Sequence, residues 1–184
     1  MRRLVVLAVA LVAFAGCGDS ESQQRTTADT EGLYLNINGL SYQIQLSRYL
    51  NANDVEDSAY LKGLPAGTAQ PTGSETWFGV WVRVQNESDQ PRKAATTWEI
   101  RDTQDNVYRP IPLDTNVNGF AFQNGVEVPP QSVLPLPNSV AGQGAVQGSL
   151  LLFKLKTDSL QNRPLELHFS NGGGSQAGIY DLDV

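Results

Sequence analysis

This chain of 184 residues has one cysteine, Cys17, one histidine, His168, and one methionine, Met1. Zinc and copper centres draw on several His, Cys or Met ligands, so no metal site is expected from this inventory. A Ser-His-Asp or Cys-His arrangement would have to use His168, and no G-x-S-x-G elbow occurs to present a serine to it. A single cysteine excludes an internal disulfide, which leaves stability to the core alone. Basic residues are also few, with 13 Lys and Arg against 19 Asp and Glu and a formal charge of -6. A basic face is what grips phosphates, so nucleic acid is a poor candidate partner. The glycine run at 171–178 lacks a following Lys-Ser/Thr and leads into a strand pattern, so it reads as a loop and not as a phosphate cradle. No repeat of solenoid or propeller length is visible. No catalytic residue, metal or cofactor is therefore expected.

The N-terminus is more informative. Arg2 and Arg3 precede an apolar run from Leu4 to Ala15. As a helix this run reaches about 18 Å, short of a hydrocarbon core of about 30 Å, so it reads as the apolar part of a signal peptide. Phe14-Ala15-Gly16-Cys17 follows and resembles the lipobox of bacterial lipoproteins, where a small residue precedes a cysteine that takes a diacylglycerol thioether. The family usually has Leu where Phe14 stands. Ala13-Phe14-Ala15 also fits ordinary secretory cleavage, which would release the protein. Lipidation is the favoured reading because the one cysteine of the chain occupies the acceptor position. Residues 1–16 are thus read as the leader and 17–32 as lipidated cysteine and polar tether, with the folded domain at 33–184. The expected location is the extracytoplasmic face of the cell membrane.

Within the domain, Trp77 to Asn86 is the longest strand signal. Phe78, Val80, Val82 and Val84 alternate with Trp77, Gly79, Trp81, Arg83 and Gln85. Burying each even side chain would contribute roughly 1.5–3 kcal/mol, enough to centre a sheet. Asn38-Gly39 supplies the two positive-φ positions of a type I′ turn, which sets Ile37 opposite Leu40, Leu35 opposite Tyr42 and Leu33 opposite Ile44. Asn53 to Gly63 reads as a short helix, capped by Asn53 with Glu56 three residues on. The acids Asp54, Glu56 and Asp57 lack the alternating ligands of a calcium loop and have a sufficient reason to sit at a helix start. Further strands are read at 94–101, 107–111, 145–156, 165–169 and 179–184. Between Pro112 and Gly144 the prolines forbid a long central strand, and so long a loop implies either a short strand near 132–136 or a functional excursion. About eight strands with one short helix make an antiparallel sandwich of two packed sheets.

Three segments, Gly79 to Asn86, Trp98 to Tyr108, and Gly148 to Phe153 with Leu165 to Phe169, resemble a bacterial family of immunoglobulin-like, telokin-like extracellular domains of unknown function. The resemblance implies an immunoglobulin-like sandwich on a lipoprotein and brings no catalytic residues. The family's Asp-x-x-Gly turn has Asn106 in place of glycine.

Two functional readings follow. The first is a non-catalytic binding or interaction module, engaging an envelope protein or a wall polymer. Trp77, Trp81 and Arg83 are its motivated residues, with Phe120 and Phe122 as a loop tip, since Trp and Arg are over-represented at interface anchors. The alternative is a small-ligand carrier or a carboxylate-dependent hydrolase with a pocket near 112–144. For the aromatics, burial under neighbouring elements is the competing structural reading.

Overall fold

A computed structural model of the chain describes residues 25–173 and 175–183. The leader and Cys17 lie outside the described residues. In chain order come β1 (Thr27–Ala28), β2 (Tyr34–Ile37), β3 (Leu40–Leu50), α1 (Val55–Tyr60), β4 (Glu75–Asn86), β5 (Arg92–Lys93) and β6 (Thr97–Arg101). There follow β7 (Val107–Tyr108), β8 (Glu127–Val128), β9 (Ser132–Leu134), α2 (Val140–Gln143), β10 (Ser149–Lys156), a 3₁₀ turn (Thr157–Gln161), β11 (Leu165–Ser170) and β12 (Ala177–Leu182). One sheet has the order β1-β12-β11-β6-β7, and the other has β10-β4-β3-β2 with β9 also paired to β4. β5 and β8 form a separate two-stranded ribbon. All pairs are antiparallel except β1 with β12.

The fold is the expected all-β sandwich. Leu35, Tyr42, Phe78, Val80, Val82 and Val84 of the second sheet share one buried core with Trp98, Ile100, Leu167, Phe169 and Tyr180 of the first. Two tyrosines tie the layers together. The Tyr42 hydroxyl accepts from Ala95 N at 2.9 Å, and the Tyr180 hydroxyl lies 2.7 Å from Tyr42 O and 2.8 Å from Leu33 O. Each hydroxyl thus satisfies a backbone group that would otherwise be stranded in an apolar layer.

The first hairpin forms in the predicted register. Ile37 faces Leu40 and Leu35 faces Tyr42, with Asn38 and Gly39 at φ of 51° and 75°. Ladder pairing stops at Tyr34, so Leu33 packs beside the core without a strand partner, and the backbone bond to Ile44 O comes from Gly32 N at 2.9 Å.

Several boundaries differ from the sequence reading. More than eight strands are present because β1, β5, β7 and β8 have two residues each, too few for alternation to register. The short strand suggested near 132–136 exists as β9. A second helix, α2, is a single turn capped by Ser139, whose hydroxyl accepts from Gly142 N at 3.1 Å. The cap of α1 is Asp54 rather than Asn53, with Asp54 Oδ1 accepting from Glu56 N at 2.9 Å and Asp57 N at 3.1 Å. Asp57 is not a solvated end-charge. It is buried, held by Arg48 at 2.6 Å and by Asn51 N at 2.7 Å.

The sandwich also begins before Leu33. Thr27 and Ala28 pair with Ile179 and Tyr180, and the Glu31 carboxylate accepts from Ser47 N and from Asp183 N, each at 3.1 Å, and from the Ser47 hydroxyl. Residues 25–32, expected as the end of the tether, are therefore bound to the domain. Their polar composition hid this, because the bonds are backbone and carboxylate bonds and only Ala28 is buried.

Candidate functional site

β4 is buried on both faces over most of its length. Its even residues enter the shared core as expected. Its odd residues from Trp77 to Trp81 are covered from outside by α1 and by the segment that begins at Ile111 and passes through Phe120. Trp77 and Trp81 lie in this outer cluster with Leu50, Tyr60, Leu150 and Leu152, at 1 % and 0 % exposure. Trp81 sits edge-on to Tyr60 at 5.1 Å, and the Arg48 guanidinium lies 5.4 Å from its ring centre. Gly79 makes room for this ring, since a Cβ there would meet Trp81 at 2.8 Å. Trp77 and Trp81 are therefore covered, as the competing structural reading has it, and pack α1 against the sheet.

The long loop has a structural task of its own. Ile111 N donates to Leu152 O at 2.7 Å, Phe122 N donates to Leu150 O at 2.8 Å, and Leu150 N donates to Phe120 O at 2.6 Å. These bonds close the edge of β10 that β4 leaves free, where an open row of N–H and C=O groups would invite pairing with another chain. Phe120 packs edge-on to Tyr60 at 4.8 Å, and Phe122 edge-on to Trp98 at 5.2 Å. The pair is not an exposed tip, because the two rings point to opposite sides of the sheet. A cavity of about 240 Å³ beside this loop is lined by Pro110, Ile111, Leu113, Phe122 and Leu151 among others, with no carboxylate in its wall.

Arg83 has a different environment. Along one side of β4, pairing with β10 ends at Val82 opposite Ser149, and pairing with β9 begins at Val84 opposite Leu134. Arg83 stands at the gap between the two partner strands. Its side chain lines two adjoining cavities of about 430 and 350 Å³, which share Val133 and Pro137. Its Nε is buried and has no hydrogen-bond partner, and the guanidinium forms no ion pair among the described residues. Of the sequence-predicted binding residues, Arg83 lines the two adjoining cavities and Phe122 the smaller apolar one, while Trp77 and Trp81 are buried.

What is shared with known proteins is the fold. No family model matches the chain, and no curated protein matches it. Among solved structures, the yjhA protein from Bacillus subtilis superposes with a TM-score of 0.52 at 10% identity, over 84% of this chain and 99% of that one. A β-sandwich protein from Clostridium difficile 630 gives 0.47 at 12% identity, over 85% and 95%. The ycdA protein of Bacillus subtilis, described as a candidate lipoprotein, gives 0.48 at 16% identity, over 85% of this chain and 39% of that one.

A second opening, of about 490 Å³, lies over the outer face of the other sheet and includes Glu99, Arg101, Arg109 and His168. Its charges are already matched. His168 Nε2 is 2.7 Å from Glu166 Oε2, Glu99 pairs with Arg101, and Arg109 approaches Glu99 at 3.8 Å. His168 alternates outward as expected and is one-fifth exposed, with Glu166 as its partner. Among the described residues, no group of three or more His, Cys, Asp or Glu is arranged to hold a metal ion.

Proposed function

We propose that this chain is a lipid-anchored module of the bacterial cell envelope that binds a partner without transforming it. It is held at the extracytoplasmic membrane face through Cys17 and meets a protein or wall polymer through the cleft at Arg83. The observation that carries the reading is the unpaired Arg83 guanidinium, with its Nε buried, at the gap between β9 and β10. The guanidinium lines the cleft with no acid of the described residues to neutralise it, so a ligand acceptor that meets it there gains a charge-assisted hydrogen bond, about 1.5–3 kcal/mol. The anchor rests on the lipobox resemblance and on Cys17 being the one cysteine of the chain. The telokin-like relationship is part of the same proposal.

Cys17 and Arg25 are eight residues apart in sequence, a span of at most roughly 29 Å at full extension. The cleft would therefore work close to the membrane surface, on partners that are themselves membrane-bound or in the innermost wall. The test is Cys17→Ala expressed in cells fed a labelled fatty acid. Labelling is expected to vanish and the protein to appear in the medium, because one acyl chain barely holds a protein and none holds it not at all. Persistent labelling in the variant would overturn the anchor. Photo-crosslinking on whole cells should capture an envelope partner with the native chain and lose it with Arg83→Gln. Capture unchanged by Arg83→Gln would remove the cleft from the reading.

A further inference from the structure

Resting on the reading of Arg83 as the binding residue, the geometry points to the chemical class of its ligand: a carboxylate presented by an extended peptide. In the larger of the two cavities, Arg83 is the one charged side chain in the wall. The rest is Val133, Pro135, Pro137 and Gly142 with the amides of Gln143 and Gln147. A single guanidinium neutralises a single negative charge, and its planar fork matches a carboxylate bidentately. A phosphate monoester carries about 1.5–2 negative charges at neutral pH and would leave part of its charge without a counter-ion here. The two glutamine amides offer donors and acceptors suited to a peptide backbone beside the carboxylate. The neighbouring cavity adds Gln85 and Gln131 but also Glu87, whose negative charge repels a second anion. One carboxylate, entering from the β9–β10 gap with an uncharged body trailing over the proline and glutamine walls, fits both cavities.

The carboxylate has two possible sources, a chain terminus and an acidic side chain, and the experiment separates them. The full chain in detergent is titrated while the Arg83 Nε–H signal is followed by ¹H–¹⁵N NMR. The probes are an N-acetylated tetrapeptide with a free C-terminus, the same peptide amidated, an amidated peptide with one internal glutamate, and inorganic phosphate. Saturable movement of the Arg83 signal is expected with at least one carboxylate peptide and not with the plain amidated peptide or phosphate. Movement with the first peptide alone assigns a chain terminus, and movement with the glutamate peptide alone assigns a side chain. By calorimetry, since neither variant carries the guanidinium signal, Arg83→Gln should weaken that binding at least tenfold, and Arg83→Lys, which keeps the charge and loses the fork, by less. Neither variant should unfold at a lower temperature than the native chain, which excludes misfolding as the cause. No saturable shift with either carboxylate peptide, or phosphate binding more tightly than both, overturns the carboxylate assignment. If the titration fails while whole-cell crosslinking remains Arg83-dependent, only the ligand class is lost. If both fail, the cleft is lost with it.

Discussion

Trp81→Ala is expected to destabilise the domain by about 3–5 kcal/mol, the usual cost of deleting a fully buried large aromatic. The indole lies between Gly79, Leu150 and Tyr60, under the Arg48 guanidinium. Loss of the ring should also loosen α1, because Tyr60, the aromatic by which that helix packs on the sheet, loses its edge-on partner. Trp81→Phe should cost far less, within about 1.5 kcal/mol, since most of the apolar volume is kept. The indole N–H has no partner in the fold, so its removal forfeits no hydrogen bond. Urea unfolding followed by far-UV circular dichroism measures both variants. A Trp81→Ala change that left the midpoint in place would mean that the indole is at the surface. Capture of a partner by the remaining folded molecules should be unchanged, which is the opposite of the pattern expected for Arg83→Gln.

Asp102→Ala is expected to cost about 2–4 kcal/mol, the loss of several charge-assisted hydrogen bonds together with the stranding of their donors. Asp102 is buried and accepts from Gln104 N at 3.0 Å, Asn106 N at 2.9 Å, Asn106 Nδ2 at 2.8 Å and Asn162 Nδ2 at 3.2 Å. It thereby fixes the β6–β7 turn and ties it to the 3₁₀ turn before β11. Burial alone would raise its pKa, but donors from Ser159, Asn106 and Asn162 outweigh that and hold the carboxyl well below the usual range. A carboxylate whose folded pKa is depressed contributes its stability above the unfolded value of about 3.9, and that contribution is lost as pH falls below it. The gap between native chain and Asp102→Asn should therefore be full at pH 7 and shrink as pH falls from 4 to 2. Glu31 and Asp181 act in the opposite sense, since burial raises both. An unchanged gap at pH 2 would show that the ionised carboxylate is not what the donors stabilise. At about 2–4 °C per kcal/mol for a domain of this size, Asp102→Ala should lower Tm by about 4–16 °C at pH 7.

The Asp102 turn also shows why some features were readable in the sequence and others were not. The lack of glycine at Asn106 looked like a departure from the family pattern. The positive φ falls instead on Asp105, at 60°, and Asn106 contributes a side-chain bond to Asp102. The Asn38-Gly39 hairpin was legible because its turn and its register are local, within a dozen residues. The inner face of β4 was legible because four alternate apolar residues have one plausible destination. The outer face was not, since the residues that cover Trp81 come from positions 60 and 120, and alternation carries no record of so distant a lid. For the same reason Phe120 and Phe122 could be read as a tip or as packing. Arg83 was singled out as an outward-facing residue, but the gap that leaves it open depends on β9, a strand of three residues between prolines. The Arg48–Asp57 pair had no local signal at all. Asp57 was explained well enough by its place in a helix start.

The parallel pairing of β1 with β12 has a mechanical consequence. If the chain is anchored at Cys17 as proposed, a partner pulling on the cleft transmits its tension to the membrane through residues 25–32. Among the bonds that hold that segment are the two residue pairs of β1, Asn36 N on Arg25 O at 3.2 Å, Gly32 N on Ile44 O at 2.9 Å, Thr30 Oγ1 on Asp183 at 2.8 Å, and those of the Glu31 carboxylate. A pull in line with β1 loads these bonds together, as a lap joint does, whereas a pull away from the sheet peels them one at a time. Released, the segment would lengthen the leash by roughly 3.3 Å for each residue freed. The core would give up only Ala28 and stay closed, so β1 is placed to act as a slip link between the membrane and the sandwich.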